Sequence, residues 1–451
     1  MTTKYNKKWY KPEKLSTKIL LTVLILLFIR VCSNIPIPFI NKEYLEIMFA
    51  DNSAFSLINT FSGGSFTQMS FMALSVTPYI TASIVLQLLT IVFPKLAEIP
   101  KGSPEDKKKW EIWQFVVGII LGITQSIGVA LTFGRQGLIT PYNFGTVALT
   151  VLLWSLGAII TIGAGTYITK CCFGNGISLI LTMNIISSLP GDILNFYNMY
   201  IKGENIGNII IACLVGLLIV LGLISATVIL NGAQKEINVI YSKNAYKNGG
   251  NNKSVSTIPL KLNIAGVMPV IFTSTLFSLP LMFLTNSSNK VAQAIVHICS
   301  STYWFDGEHW WRTIGFFLYG ALVIFFAYFY TAIVFNPFEI AQNLKKSGAC
   351  IPGVRPGQPT IEYLTKQSKY LTLIGAVYLF LLTQIPMFIM QFTDLSYLSF
   401  GGTSIIIIVG VVLEIATTLK SERLKFAYTK ATSSNSFLGL KTNQNVRKGV
   451  F

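Results

Sequence analysis

Cysteine and histidine are the side chains best suited to metal binding or nucleophilic catalysis, and the chain has six cysteines and two histidines. No two cysteines form a C-x-x-C pair, and no cysteine stands at a metal-ligand spacing from a histidine. His297 and His309 share one predicted loop, although the sequence favours no metal there. We therefore predict no metal and no cofactor. We expect buried or cytosolic free thiols at Cys32, Cys171, Cys172, Cys213, Cys299 and Cys350.

The sequence contains no motif for phosphoryl or acyl transfer. It has no G-x-x-x-x-G-K-[ST] phosphate loop and no nucleophile with a positioned base. Arg30 and Glu414 lie within apolar blocks, each close enough to an end for its charged group to reach water. A charge at mid-bilayer costs at least ~2.5–3.5 kcal/mol, so ion-coupled transporters keep such groups only where their mechanism needs them. The sequence thus predicts no catalytic residue, no ATPase of its own and no proton relay.

The elements that must position any functional side chain are long apolar blocks. Of 451 residues, 52% are hydrophobic and 12% charged, against roughly a quarter charged in a soluble domain, and the mean hydropathy is +0.58. A helix needs about 20 apolar residues to cross ~30 Å of hydrocarbon. The first block runs into Ile35-Pro36-Ile37-Pro38 and is expected to be retained rather than cleaved. We predict ten transmembrane helices near residues 19–38, 76–94, 113–133, 146–168, 176–190, 208–231, 264–285, 314–335, 369–391 and 401–420.

Positive charge predicts the orientation. The 35 Lys and Arg residues lie mostly in the two tails and in the loops that share their side of the membrane if there are ten spans. By the positive-inside rule, both termini are expected to face the cytosol. The net charge of +17 needs no nucleic acid to explain it, because a solvated cytosolic surface accounts for most of these charges.

Two predicted cytosolic loops, 232–263 and 336–369, are far longer than the usual connection of about 4–6 residues. Their length indicates docking surfaces for a large partner. An unstructured linker accounts for Asn244–Lys253 equally well. It does not account for 348–357, where glycine and proline fix the backbone and are expected to hold Arg355 in a defined position.

Residues 59–73, between the first two predicted spans, are half apolar and half small or polar. They are too short to span a membrane and too apolar for an open loop. Non-spanning backbone at membrane depth is tolerated only where protein or a water-filled cavity surrounds it. Two interpretations stay open from these residues alone: a re-entrant short helix in a funnel, or an amphipathic turn lying on the surface.

The second predicted span has a mixed surface. Ile80 and Ile84 lie on one helical face, beside Thr81, Ser83 and Gln87. A membrane helix of this kind faces protein or water as well as lipid, but Thr and Ser also serve as ordinary helix-packing contacts. The pattern alone is compatible with both interpretations.

Seven short motifs, in order along the chain from residue 20 to about 430, resemble the signatures of the SecY family. They are Phe61-Ser62-Gly63-Gly64 and residues 78–90 (PYITASIVLQLLT), 174–178 (GNGIS), 259–269 (PLKLNIAGVMP), 343–348 (NLKKSG), 352–357 (PGVRPG) and 401–404 (GGTS). The resemblance implies an all-α polytopic membrane protein. Its ten transmembrane helices would form two inverted five-helix pseudo-repeats around a central pore with a short plug helix.

The resemblance also implies a function. A member of this family is the central subunit of the Sec protein translocation channel and is not an enzyme, because a separate motor ATPase or the ribosome drives transport. It passes unfolded secretory proteins across the membrane. It releases apolar segments into lipid through a lateral gate between the second and third spans on one side and the seventh and eighth on the other.

Matching positions imply roles for individual residues. The ring that constricts the pore, whose members we call the ring residues, would be Ile80, Ile84, Ile177, Leu181, Ile271 and Ile407. The plug would include Phe61, Ser62, Gly63, Gly64, Phe66 and Phe71. The lateral gate would include Thr81, Ser83 and Gln87, and the motor or ribosome would dock on Lys235, Lys345, Lys346 and Arg355. Leu181 stands where related sequences often carry Ile, which is a mild change because volume is conserved.

One docking loop departs from the family pattern. Related sequences usually read Glu-x-x-Gln followed by two basic residues and Ile, whereas this chain has Asn231, Gln234, Lys235, Glu236 and Ile237. The loop has lost one positive charge and gained a negative one. We therefore expect docking to rely less on this loop than on Arg355.

The partners that the family implies are SecE and SecG subunits, the SecA motor ATPase, the ribosome, signal sequences, unfolded secretory or membrane proteins, and the lipid bilayer. The expected location is the bacterial inner membrane, with the plastid thylakoid membrane as the alternative. The predicted organisation is a cytosolic tail (1–18), an N-terminal half (19–190), a C-terminal half (191–420) and a second cytosolic tail (421–451).

Three hypotheses from different classes remain open. A protein-conducting channel is favoured, largely through the resemblance. A secondary transporter shares the number of spans but normally keeps a binding-site charge or broken helices at the midplane. A membrane-embedded insertase or assembly scaffold without a through-pore is the third.

Overall fold

A computed structural model describes residues 15–41, 43–45, 56–100, 102–172, 174–200, 206–241, 256–284, 289–300, 304, 310–392 and 401–437. The predicted linker Asn244–Lys253 and His309 lie outside the described residues, as does most of the predicted tail 1–18.

Helices make up most of the described chain. In chain order they are α1 (Leu15–Ser33), α2 (Ser56–Ser62), α3 (Thr77–Val92), α4 (Pro94–Glu98), α5 (Pro104–Phe133), α6 (Phe144–Cys171), α7 (Gly176–Tyr200), α8 (Ile206–Gly232), α9 (Met268–Leu284), α10 (Lys290–Cys299), α11 (Ile314–Val334), α12 (Pro337–Lys346), α13 (Gln358–Phe392) and α14 (Gly401–Phe437).

All ten predicted spans fall on described helices. By length and composition, seven helical segments are apolar enough to cross a membrane, and they belong to α1, α5, α6, α8, α11, α13 and α14. Three shorter apolar helices, α3, α7 and α9, lie at the remaining predicted spans. The all-α polytopic fold class is therefore confirmed, and the count of ten agrees with it.

The first span ends earlier than predicted. Helix α1 ends at Ser33, not at residue 38. Ile35 and Ile37 each precede a proline, and a residue in that position is disfavoured in the α region. The chain continues in extended form instead, and Pro36 forms an isolated β-bridge with Ser70.

Parts of the two long polar loops form one small sheet. Strands β1 (Gln234–Tyr241), β2 (Ser256–Lys261) and β3 (Ala349–Cys350) pair antiparallel in the order β2-β1-β3. Ile237 and Val239 on β1 are buried while Asn238 between them is exposed, as expected for a strand with one packed face. The sequence analysis did not predict these strands.

Candidate functional site

The six ring residues come from four helices. Helix α3 carries Ile80 and Ile84 one turn apart, α7 carries Ile177 and Leu181 with the same spacing, and α9 and α14 carry one each. All six are buried, each with less than 9% of its surface exposed, in a single hydrophobic cluster. Ile80, Ile84, Ile177, Leu181, Ile271 and Ile407 are thus brought together although the first and last are 327 positions apart in sequence, the difference between 407 and 80.

A cavity of about 200 Å³ adjoins four of the ring residues. Its other lining residues are polar or aromatic except for Met268, and they come from α3, α5, the start of α7, α9 and α11. No charged side chain is among the described residues that line it. Among the described residues, the cavity is lined by Tyr79, Ile80, Ser83, Gln87, Gln114, Asn175, Ile177, Ser178, Leu181, Met268, Ile271, Phe272 and Tyr330.

The predicted gate residues divide into two kinds. Ser83 accepts a hydrogen bond from Gln87 Nε2 at 3.0 Å and a longer one from Gln114 Nε2 at 3.5 Å, while Tyr79 donates to Gln114 Oε1 at 3.3 Å. These bonds link α3 to α5 at the edge of the cavity. Thr81 does not join them, because its hydroxyl donates to the backbone oxygen of Thr77 in its own helix at 3.0 Å.

Sequence analysis missed Gln114 as a member of this polar group. The signal was present, because Gln114 is an amide side chain at the start of an apolar block, where it needs a hydrogen-bond partner. Gln114 has two partners on α3: Ser83, which is 31 positions away in sequence, and Tyr79, which is 35 positions away. A local sequence pattern does not reveal contacts at such separations.

Residues 60–76, which we call the inner segment, contain all but the first residue of the predicted plug near 59–73. They comprise the last turn of α2 and a series of turns. The segment is packed within the protein: Phe61, Ser62 and Phe66 are 1–2% exposed, and Phe71 is half-buried. Phe61 belongs to the same hydrophobic cluster as the ring residues. The burial agrees with a re-entrant helix and contradicts an amphipathic turn lying on the surface.

The end of α2 explains the two glycines of the motif. Gly63 and Gly64 have φ values of +68° and +84°, and their amides bond to the carbonyls of Thr60 (3.2 Å) and Asn59 (3.0 Å). This is the Schellman arrangement, in which a left-handed residue ends a helix and satisfies its last carbonyls. A glycine is favoured at Gly63 for a second reason, since a Cβ there would lie 2.9 Å from the Cα of Asn184.

Three helices hold the inner segment. Asn184 on α7 donates to the oxygen of Phe61 at 3.0 Å and to Ser75 Oγ at 2.7 Å. The guanidinium of Arg30 on α1 donates to the oxygen of Gly63 at 2.7 Å. Gly157 on α6 allows backbone contact, because a Cβ there would lie 1.9 Å from the oxygen of Phe71. Arg30 was expected only to reach water from its span, so this contact corrects that interpretation.

The predicted docking residues lie around the small sheet. Lys345 and Lys346 are exposed in the last turn of α12, where positive charge is favourable beside the helix dipole. The side chain of Arg355 is exposed, and its backbone oxygen accepts a hydrogen bond from Thr360 Oγ1 at 2.8 Å. In the same turn, Gly353 adopts a left-handed φ of +80°. β1 is hydrogen-bonded to β3, so the two loops meet rather than act as separate surfaces.

The docking loop whose sequence differs from the family pattern makes polar contacts with the rest of the protein. Lys235 Nζ donates to Gln367 Oε1 at 2.7 Å, and Glu236 is exposed. Asn231 accepts from Asn263 Nδ2 at 3.1 Å and donates to the oxygen of Thr227 at 3.1 Å. Asn231 therefore fastens the end of α8 to the turn before α9.

Metal-ligating side chains do not cluster in the part of the chain that the structure describes, where no three His, Cys, Asp or Glu residues could hold an ion. His309 lies outside that part, so the expectation that the two histidines hold no metal stays a prediction. None of the six cysteines forms a disulfide among the described residues; Cys171 and Cys172 are buried, and Cys213 and Cys350 are exposed.

Comparison with known proteins decides the family. The family model for SecY matches residues 70–416. The chain belongs to the SecY family. Among characterised SecY proteins it is 34% identical to the protein translocase subunit SecY of Halalkalibacterium halodurans over 427 residues, covering 93% of this chain and 97% of that protein. It is also 34% identical to the Bacillus subtilis subunit over 429 residues, with coverages of 93% and 96%.

Solved structures show the same fold as this SecY-family chain. One, described as a protein-conducting channel, aligns with a TM-score of 0.65 at 18% identity over 92% of this chain and 95% of that one. A SecY structure whose plug domain stabilises the closed state of the translocation channel aligns with a TM-score of 0.62 at 18% identity and the same coverages. Sec61 in the canine ribosome-channel complex aligns with a TM-score of 0.62 at 17% identity, again over 92% and 95%. The chain is thus a multi-pass membrane protein of the SecY fold.

Proposed function

We propose that this chain is the central subunit of a Sec protein translocase, a channel that passes unfolded secretory proteins across a membrane and releases apolar segments sideways into lipid. The observation that carries the proposal is one buried cluster that contains six aliphatic side chains from four helices together with Phe61 of the inner segment. Family membership supports it, because the related proteins are protein translocase subunits.

An aliphatic constriction suits a channel for unfolded chains. Isoleucine and leucine side chains offer no ligands to ions, and a narrow apolar constriction opposes ion flow by dewetting. The same side chains change rotamer around a passing residue without selecting for its charge. Leu181 keeps the volume of the isoleucine that related sequences often carry, so its effect on this constriction is mild.

The inner segment would act as the plug. Its burial, with Phe61, Met72 and Val76 in the same hydrophobic cluster as the ring residues, supports a resting state in which the segment fills the pore. Phe61, Ser62, Gly63, Gly64, Phe66 and Phe71 would move together with it.

Ser83 and Gln87, together with Gln114, would form the polar edge of the lateral gate. They line one side of the cavity, and Met268 and Phe272 of α9 line the other. A signal sequence would open the gate by binding the open state better than the closed state, since a ligand shifts an equilibrium only through such a difference. Thr81 bonds within its own helix and would contribute packing rather than a polar contact.

The sheet and the turns beside it would dock the partner that drives transport. Lys345, Lys346 and Arg355 are exposed there, and positive charge attracts ribosomal RNA in a salt-dependent way. A related fold has been solved in a ribosome-channel complex, which supports the ribosome as a partner. SecA, SecE and SecG are proposed from family membership alone.

The proposed orientation follows the positive-inside rule, with both termini in the cytosol of a bacterium or on the equivalent side of a plastid membrane. The proposed halves, residues 19–190 and 191–420, would each contribute five spans. Four of the ring residues come from the first half and two from the second, so the constriction would lie at the seam between the halves.

The test is a disulfide crosslink to a substrate in transit. The six native cysteines are replaced, single cysteines are placed at Ile80 or Ile271, and a secretory precursor with cysteines along its length is stalled in the full complex. Val85 is the matched control, because it lies on α3 but is 40% exposed where Ile80 is 6% exposed.

Crosslinks at Ile80 and Ile271 but not at Val85 are the expected result. Absence of crosslinks at both ring positions, with the precursor demonstrably engaged, would contradict the channel. Saturable uptake of a small solute would then indicate a transporter. Membrane-protein insertion without secretion would indicate an insertase that lacks a through-pore.

A further inference from the structure

Two side chains from two different helices bond to the end of α2. The amides of Gly63 and Gly64 turn back to Thr60 and Asn59 at this end. The carbonyl of Phe61 accepts from Asn184 at 3.0 Å, and the carbonyl of Gly63 accepts from the guanidinium of Arg30 at 2.7 Å. Carbonyls at a helix C-terminus carry partial negative charge, which a cation stabilises.

Arg30 is an unusual residue for this position. It lies in the last turn of an apolar helix, where an arginine is costly unless its charge is solvated or bonded. Within the described residues it has no carboxylate within ion-pair distance. Its guanidinium bonds instead to Gly63 and, at 3.3 Å, to the hydroxyl of Ser33, which in turn donates to the oxygen of Arg30.

We propose that Arg30 is a positioning residue that holds the inner segment in its resting place, and that its hydrogen bond to Gly63 must break before the segment leaves the pore. The inference rests on the proposed channel function. Asn184 provides the second hydrogen bond that keeps the segment in this position. Both residues belong to the first half of the chain, so a movement of the second half alone leaves these bonds intact.

A consequence is that opening the lateral gate and displacing the inner segment are separate events. The gate lies between α3 and α5 on one side and α9 and α11 on the other. Arg30 is on α1 and Asn184 is on α7, neither of which belongs to that group. The segment is released only when the polar bonds at the end of α2 are exchanged for others.

The test measures how often the inner segment leaves its packed position. Ser65 is the reporter, because its side chain is 1% exposed and its hydroxyl has no bonding partner among the described residues, so Ser65→Cys is conservative. In the full complex, in membranes and without native cysteines, alkylation of that thiol by a membrane-impermeant maleimide is timed. The variants are Arg30→Gln, Arg30→Lys and the control Arg135→Gln, which removes the charge of an exposed arginine after α5.

Arg30→Gln is expected to raise the alkylation rate about tenfold, which corresponds to about 1.4 kcal/mol. Arg30→Lys keeps a positive charge and a hydrogen-bond donor, so its alkylation rate is expected to lie between that of Arg30→Gln and that of the unsubstituted chain. Arg135→Gln is expected to leave the alkylation rate unchanged. Unchanged rates in both Arg30 variants, or an equal rise in Arg135→Gln, would overturn the proposal.

Export of an ordinary secretory precursor is measured in parallel. A variant that misfolds loses export, whereas a loosened hold preserves it while the thiol becomes more accessible. If the alkylation rate rises only in variants that also lose export, misfolding explains the rise, and the result would contradict the proposed role of Arg30. If the unsubstituted chain exports no precursor, the proposed function fails, and the alkylation rates still decide whether Arg30 holds the segment.

Discussion

Alanine at Gly63 is expected to loosen the inner segment, and alanine at Gly64 is its matched control. Both glycines have positive φ, +68° and +84°, so both substitutions strain the backbone in the same way. They differ in their surroundings. A Cβ at Gly63 would lie 2.9 Å from the Cα and the oxygen of Asn184, whereas a Cβ at Gly64 meets nothing within 4 Å.

The magnitudes follow from these contacts. A non-glycine residue in the left-handed region costs ~1–2 kcal/mol, and this applies to both variants. At Gly63 the clashing atoms belong to the backbone of α7, which does not yield as a flexible side chain does. The segment must shift and lose the 3.0 Å bond from Asn184 to Phe61, and a buried polar group left without its partner costs ~1–3 kcal/mol.

The difference between the two variants is therefore ~1–3 kcal/mol, or about 5-fold to 150-fold in the equilibrium between packed and displaced segment. Alkylation of Ser65→Cys by an impermeant maleimide reports this equilibrium in the full complex. We expect Gly63→Ala to react faster than Gly64→Ala by a factor in that range. Equal rates would refute the reasoning, because backbone strain alone would then explain both variants.

Two further predictions use the same logic of matched positions. Gly157→Ala is expected to increase Ser65→Cys alkylation, because the added Cβ would lie 1.9 Å from a backbone oxygen of the inner segment, while Gly163→Ala on the same helix meets nothing within 4 Å and is expected to leave the rate unchanged. Arg355→Glu is expected to reduce precursor export more than Lys235→Glu, since Lys235 is engaged by a glutamine of α13 whereas Arg355 projects from a fixed turn; equal or opposite export defects would contradict this ranking.

The transmembrane helices were predictable because their signal is local. About 20 apolar residues in a row are needed to cross the hydrocarbon, and each block is visible without knowledge of its neighbours. The end of the first span was predicted wrongly because apolar residues continue past Ser33 while the prolines at 36 and 38 end the helix. Hydropathy reports the extent of an apolar block and not where its backbone changes conformation.

The small sheet was not predictable from the same signal. Only Ile237, Val239 and Leu260 show the alternation of a half-buried strand, and β3 has two residues. The two-residue β3 exists because it pairs with β1 across more than a hundred positions, as Ile240 does with Cys350. Sequence analysis treated the two loops as separate for that reason.

Polar residues within the spans were visible in the sequence, but their partners were not. Arg30 was interpreted from its own helix, as a charge near a membrane surface. Its bonding partner is 33 positions away, and Asn184 bonds to a carbonyl 123 positions away. Resemblance assigned a role to the inner segment, but it gave no role to the side chains that hold it.

The balance of forces on the inner segment suits a closure that must be reversible. Apolar contacts with the ring residues exclude water but lack direction, whereas hydrogen bonds from Arg30 and Asn184 fix the position of the helix end. A bond from a charged donor contributes ~1.5–3 kcal/mol and a neutral one ~0.5–1.5 kcal/mol, so the two bonds contribute about 2–4.5 kcal/mol. Converting a 99:1 preference into its reverse takes about 5.5 kcal/mol of differential binding. In the proposed mechanism these two bonds would therefore keep the segment in place, and their energy is small enough for an engaged substrate to release it.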